Sequence, residues 1–376
     1  MAKHLPYGGS SATRDIACPG NKKQSENIKP RPAGQAAIDG SMHHEVMEQC
    51  FRDEVTPSDC LGLIYKEEGT EITREFTEDD LDLSYAAYTR TNELLDAFDI
   101  DYYFIEPFVQ YIHGVSGGSI DLIGLSRNKT TLLIIDYKFG SHPVDAEYNE
   151  QCGVYGLSAR EDKLTADMFE DVERIVFAIV QPRVKGGVSK WITDITWLDA
   201  FEWRYTAAMK SDALLAGEHC RYCPAEAFCA VKRQSVSDAL LLTGAHHNEL
   251  VSAAAMVTEV EAWLKSMKEE MYWQMTRGVS VTGWKVVEKR ATRRWDDLAA
   301  LEAALKNSKL AKKTTHETKC LSPAQMEKAI KKAGVTLDLS EFIISVSSGT
   351  TIAPDDDGRE AVVVSDVTGT LKDVME

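Results

Sequence analysis

The chain has 376 residues, 44% of them hydrophobic, which is enough apolar material for two domains or one elaborated domain. No apolar run is long enough to span a bilayer, and the start, MAKHLPYGGSSATRD, lacks the apolar centre of a signal peptide, so no membrane partner and a cytoplasmic location are expected. A formal charge of −17 argues against a protein that coats duplex DNA by bulk electrostatics, and leaves room for an enzyme with a local basic channel.

Residues 1–33, rich in Gly, Ser, Pro and Lys, read as a loose tail that carries Cys18. A helix is predicted from about Ala33 to Arg52. It carries Gly40, His44 and Glu48, and His44 and Glu48 share a face because they lie four apart. Residues 53–75 read as a loop or hairpin insertion. Thr77, followed by Glu-Asp-Asp, is an N-cap with an acidic first turn, opening a helix that runs through Leu94 and Leu95. YYFIEPFVQYIHGVSG then reads as a strand. Its Glu106 faces two readings, a metal-site contact or a structural salt bridge.

Ser119 to Lys138, SIDLIGLSRNKTTLLIIDYK, predicts a β-hairpin. The first strand holds Asp121, the turn is Ser126-Arg127-Asn128-Lys129, and the run LLII predicts a second strand buried on both faces. Side chains alternate along a strand, so Asp136 and Lys138 share a face while Tyr137 points away. Asp121 is expected beside Asp136. Two carboxylates and an ammonium at the end of an apolar strand are costly to bury unless they pair or hold a metal, and hard oxygens suit Mg²⁺ or Mn²⁺.

A turn follows, then a helix that places Gln151 and Tyr155 on one face. RIVFAIVQPR (174–183) predicts another buried strand, and a helix is expected from Asp194 to Leu215. GEHCRYCPAEAFC then supplies Cys220, Cys223 and Cys229, three thiols within ten residues. In a cytosolic chain that spacing points to a metal centre with Cys18 as the candidate fourth ligand; zinc is one occupant, and His219 is a rival ligand to Cys18. Cys50, Cys60, Cys152 and Cys320 fit no pattern and are expected as buried or free thiols. Beyond residue 237 a long helix spans Asn248 to Thr276. A strand and basic loop follow, with Lys285, Lys289, Arg290, Arg293 and Arg294 beside Trp284 and Trp295. Two helices and one or two terminal strands complete the chain. The basic run suits either a single nucleic-acid strand or a solvated edge.

These motifs, in this order, resemble the RecB-type branch of the PD-(D/E)xK nucleases: Gly40-x3-His44-x3-Glu48, Glu106, Gly-Gly-Ser-Ile-Asp121, Asp136-Tyr137-Lys138 and Gln151-x3-Tyr155. One Cys before and a C-x2-C-x5-C after that core is similar to the iron–sulfur members, the AddB-type helicase–nucleases and CRISPR-associated spacer-acquisition nucleases. The whole layout is also similar to uncharacterised phage and prophage proteins. The resemblance implies an α/β fold, a restriction-endonuclease-like core with a mixed central sheet flanked by helices in residues 1–237, and an α/β extension in 238–376 for nucleic-acid or partner binding. It implies a Mg²⁺- or Mn²⁺-dependent deoxyribonuclease, expected as an exonuclease on DNA ends or single strands in phage replication or recombination. Metal ligation would fall to His44, Asp121, Asp136 and the Tyr137 carbonyl, with Glu48 and Glu106 as further candidates. Asp121, Asp136, Lys138, Gln151 and Tyr155 would be catalytic, and Cys18, Cys220, Cys223 and Cys229 would hold a [4Fe–4S] cluster. The alternative class is a non-catalytic DNA-end or protein-binding module that works with phage replication or recombination proteins.

Overall fold

The structure is a computed structural model that describes residues 5–28, 34–67, 72–241, 247–307, 320–335 and 337–362. Side chains of residues 239–256, which include Val251 and Met256 of the expected apolar face of the long helix, lie outside the described ones. The chain divides into two compact units, Met1–Trp263 and Leu264–Glu376. No helix among the described residues is long and apolar enough to cross a membrane.

The first unit opens with β1 (Tyr7–Gly8), α1 (Ala12–Ala17) and α2 (Asn21–Ser25). This corrects the expectation of a loose tail for residues 5–28. The order comes from polar groups that a hydropathy pattern does not register. Asp15 is buried, accepting from Ser11 Oγ at 2.6 Å and Asn21 Nδ2 at 2.9 Å, and pairing with Lys22 at 3.0 Å. A buried carboxylate with every contact satisfied fixes the segment as firmly as an apolar side chain would.

Next come α3 (Gln35–Arg52), the small hairpin β2 (Ile64–Lys66) and β3 (Thr73–Glu75), and α4 (Leu81–Ala97), which follows a Thr77–Asp80 capping box. The strand expected over 102–117 is broken in two, β4 (Ile100–Ile105) and β5 (Phe108–Ile112). Pro107 has no amide to give a ladder, and Glu106 before it takes a left-handed φ of 50°. β6 (Ser116–Ser119) returns beside β5, and β1 adds to it in parallel, making a three-stranded sheet.

The main sheet is formed with β7 (Leu122–Ser126), β8 (Thr131–Tyr137), β9 (Arg174–Val180) and β10 (Val188–Thr193), in the order β10-β9-β8-β7-β4. β8 and β9 run parallel, joined across α5 (Glu150–Glu161), and the other pairings are antiparallel. Every residue of β8 is buried. Leu132 and Ile134 join one core with Val154 and Leu157 of α5 and Leu198 and Phe201 of α6 (Ile195–Met209). Leu133, Ile135 and Tyr137 join the other with Met42, Val46 and Cys50 of α3 and Leu94 of α4. Burying each such Leu or Ile contributes about 1.5–3 kcal/mol. The fold is therefore α/β, a mixed sheet between helices. The edge strand β10 was not expected from sequence; it is short and only half-buried.

After α6 the chain passes the cysteine segment into α7 (Ala230–Leu241) and α8 (His247–Met275), and the division between units falls within α8. In the second unit β11 (Trp284–Glu288) pairs with a late strand and β12 (Thr292–Trp295) with another, around α9 (Leu298–Asn307) and α10 (Pro323–Ala333). The partners are β14 (Thr350–Pro354) for β11 and β13 (Ile343–Val346) for β12. α10 starts on a Ser322–Gln325 capping box with Pro323 in its first turn, and it stops at Gly334, whose φ of 67° suits glycine. Its Met326 and Ile330 pack on Leu301 and Leu305 of α9.

Candidate functional site

The site forms where β8 runs out of apolar residues. Leu122 of β7 pairs with Ile135, and continuing that antiparallel register sets Asp121 opposite Asp136. The Tyr137 amide donates to Asp121 Oδ2, so the carboxylate replaces a ladder partner that β7 no longer supplies. The Tyr137 ring points to the other face, its hydroxyl 3.1 Å from Thr91 Oγ1 on α4.

α3 brings His44 to this strand end. His44 Nδ1 lies 3.1 Å from Asp121 Oδ1. Glu106 completes the corner, its amide donating to the Asp121 carbonyl at 3.1 Å. One donor atom each from His44, Glu106 and Asp121 fall within 4.8 Å of one another, the one such grouping of three among the described residues. Two oxygens and an imidazole nitrogen at that separation suit one hexacoordinate Mn²⁺ or Mg²⁺, whose opposite ligands stand about 4.2 Å apart. Glu106 is thus a candidate donor beside His44 and Asp121. Glu48 turns instead to Arg52, at 2.5 Å.

Asp136 faces α5. Its Oδ2 pairs with Lys138 Nζ at 2.8 Å and its Oδ1 accepts from Gln151 Nε2 at 2.7 Å. Gln151 Oε1 accepts from Lys138 at 3.0 Å, and Gln151 Nε2 also reaches the Tyr155 hydroxyl at 2.8 Å. Asn149 caps α5 through the amides of Gln151 and Cys152, which fixes where Gln151 begins. Gly9 lies against the Tyr155 ring, where a Cβ would stand 2.7 Å from the ring edge.

Charge is distributed accordingly. Burial disfavours a charged His44, yet the Asp121 carboxylate outweighs it and lifts the imidazole to about 9. Burial, then Asp121, raises Glu106 to about 8. Burial raises Asp136 against the opposing pull of Lys138. Asp121 is also buried, but His44 and the Tyr137 amide hold it below the ordinary carboxylate range. Burial opposes the Lys138 ammonium and Asp136 overrides it, so Lys138 stays cationic.

Cys18, Cys220, Cys223 and Cys229 line one small cavity, together with Arg14 and His219. Cys18 Sγ accepts from the Leu215 amide at 3.4 Å, so the N-terminal segment closes on the cysteine segment. Burial pushes the Cys220 and Cys223 thiols up, while Lys232 acts on the first and Arg14 on the second in the opposite sense. His219 commits Nε2 to the Leu215 carbonyl at 2.9 Å. Among the described residues, no three cysteine sulfurs lie within 4.8 Å of one another. Cys50, Cys60 and Cys152 are buried thiols elsewhere, with Cys50 and Cys60 3.9 Å apart, and Cys320 is half-buried.

The basic run of the second unit is less available than its sequence implies. Arg293 is taken up by a two-pronged pair with Glu327, at 2.5 and 2.9 Å, and Trp295 donates to the Leu321 carbonyl at 2.9 Å. Lys289, Arg290 and Arg294 are exposed. Arg293 and Arg294 fall on opposite faces of β12 by strand alternation. All four cations are exposed, split between the loop after β11 and the strand β12.

Gln181 is a residue that sequence reasoning missed. It is buried, donates to the carbonyls of Gly140 and His142 at 3.1 and 2.6 Å, and accepts from the Val144 amide at 3.0 Å. It thus pins the loop that runs from Lys138 to Gln151. Its only sequence signal is a polar residue closing the apolar run of β9.

Among solved structures, the chain is similar to one described as "Crystal structure of SSO0001", at 11% identity and a TM-score of 0.21, over 58% of this chain and 95% of that one. A likeness that slight carries no argument. A family model described as "Protein of unknown function (DUF2800)" matches residues 4–360, nearly the whole length, and the chain belongs to that family.

Proposed function

We propose that the protein is a metal-dependent nuclease of the RecB-type PD-(D/E)xK kind, cutting DNA phosphodiester bonds at ends or in single strands. One observation carries this reading: Asp121, bonded to His44, stands opposite an Asp136–Lys138 pair that Gln151 and Tyr155 close from α5. A solvated hairpin end would have no need of six buried or half-buried polar groups in contact with one another.

A bound Mg²⁺ or Mn²⁺ supplies an acidified water and charge stabilisation at the phosphate. His44, Glu106 and Asp121 are the residues that would hold it, with Asp136 and the Tyr137 carbonyl as further ligands. Lys138, kept cationic by Asp136, orients the attacking water and offsets phosphate charge. Gln151 fixes both Asp136 and Lys138, so neither must reorganise during reaction. Tyr155 holds Gln151 in turn.

The same reading assigns a [4Fe–4S] cluster to Cys18, Cys220, Cys223 and Cys229. Four thiols around one cavity, with Arg14 in its lining, suit such a group. Zinc on the same four thiols is the rival occupant. The test of the nuclease reading is cleavage of end-labelled linear DNA in Mn²⁺. DNA binding without any product would support the non-catalytic module instead.

A further inference from the structure

Arg221 and Tyr222 sit between Cys220 and Cys223 and project outward. The Tyr222 ring is 69% exposed, which is unusual for a side chain that buries readily. It is nonetheless held. The Arg14 guanidinium donates to the Tyr222 carbonyl, fixing the backbone beneath the ring. The Arg221 guanidinium lies over the ring, 5.6 Å from its centroid. Arg221 in turn donates to His142 Nε2 at 3.0 Å. His142 belongs to the loop pinned by Gln181 between Lys138 and Gln151, so the chain connects Tyr222 to the loop that joins two residues of the candidate site.

An exposed aromatic ring with its backbone anchored and a cation fixed beside it is a preorganised stacking surface. Ordering it on binding costs little, because the order is already present. A nucleotide offers the flat face of its base to the ring and its phosphate to the guanidinium. We propose that Tyr222, with Arg221 and His142, is a platform on which a single nucleic-acid strand stacks as it reaches the site. This rests on the nuclease reading and names how its substrate is held. A negative net charge does not oppose it, since stacking supplies sequence-tolerant affinity without a broad basic face.

The test is fluorescence anisotropy of a labelled oligothymidylate of about twenty nucleotides, titrated with full-length protein without added divalent cation. Tyr222→Ala should weaken binding about tenfold, whereas Tyr222→Phe, which keeps the ring, should bind as the wild type does. Arg221→Gln should weaken binding and reduce the salt slope by about 0.7, the share of one phosphate contact on a single strand. Equal melting temperatures and equal metal content would show that the variants fold alike. Equal affinity of wild type and Tyr222→Ala would overturn the platform, as would a Tyr222→Phe as weak as Tyr222→Ala. Either result leaves the nuclease reading to be decided by cleavage. A wild-type protein that binds no single strand would likewise overturn the platform and leave the nuclease reading to cleavage.

Discussion

Gln151 grips Asp136 from α5, its amide nitrogen 2.7 Å from Oδ1, while its carbonyl oxygen accepts from Lys138. One neutral side chain thereby orients both charged members of the Asp136–Lys138 pair. Gln151→Leu should leave Asp136 and Lys138 each short of a contact in a buried setting, a loss of about 1–3 kcal/mol. The expected outcome is a fall of roughly tenfold to a hundredfold in turnover with a small change in KM for DNA. Steady-state kinetics on a short duplex would show it, and a change confined to KM would point to substrate contact instead.

Metal binding should depend on pH in a definite direction. Without metal, His44 is lifted from 6.5 to about 9 and Glu106 from 4.5 to about 8. Both raised values mean that the folded state binds protons more tightly than the unfolded one. The His44 contribution is fully present below pH 6.5 and is lost as pH rises towards 9, and the Glu106 contribution is lost between about 4.5 and 8. A cation needs the imidazole neutral and the carboxylate ionised, so it must displace those protons. Mn²⁺ affinity should therefore rise from pH 6 to pH 9, with protons released on uptake. Titration calorimetry in buffers of different ionisation enthalpy measures both quantities, and a pH-independent affinity would remove His44 and Glu106 from the donor set.

Gly9 is expected to be intolerant of a side chain. A Cβ there would stand 2.7 Å from the Tyr155 ring, which is itself buried. Gly9→Ala should cost about 1–3 kcal/mol through overpacking and should lower activity by displacing Tyr155 from Gln151. Gly34→Ala, where nothing lies within 4 Å, is the matching control and should leave activity unchanged. Comparable melting curves and rates for the two variants would contradict the contact.

The cysteine cavity predicts colour. Protein purified without oxygen should be brown, and Cys18→Ala or Cys220→Ala should bleach it and lower the melting temperature, because the group ties α1 to the segment after α6. Cys320→Ala, in the other unit, should keep the colour. A colourless protein with stoichiometric zinc would replace the iron assignment and leave the tie between Cys18 and Cys220 standing.

Much of this arrangement is legible in the sequence where local chemistry decides it. The apolar run ending in Asp136-Tyr137-Lys138 gave the central strand and its charged end, because alternation fixes which side chains share a face. The i, i+4 spacing of Gln151 and Tyr155 gave a helical pair whose partners only the fold could supply. The N-terminal segment was hidden because buried Asp15 and Asn21 look like surface residues in a hydropathy pattern. Glu106 was ambiguous because its place depends on a left-handed residue before Pro107, a break the apolar run conceals. Arg293 looked free because Glu327 lies 34 residues away, on another element.

The most direct test of the central claim is the rate at which wild-type protein releases product from end-labelled single-stranded DNA in Mn²⁺, set beside Asp121→Ala, Asp136→Ala and Lys138→Ala. The account predicts cleavage by the wild type and a loss of about a hundredfold or more in each variant, with the fold retained. Wild-type rates in all three variants, or no cleavage by a metal-replete wild type, would contradict it.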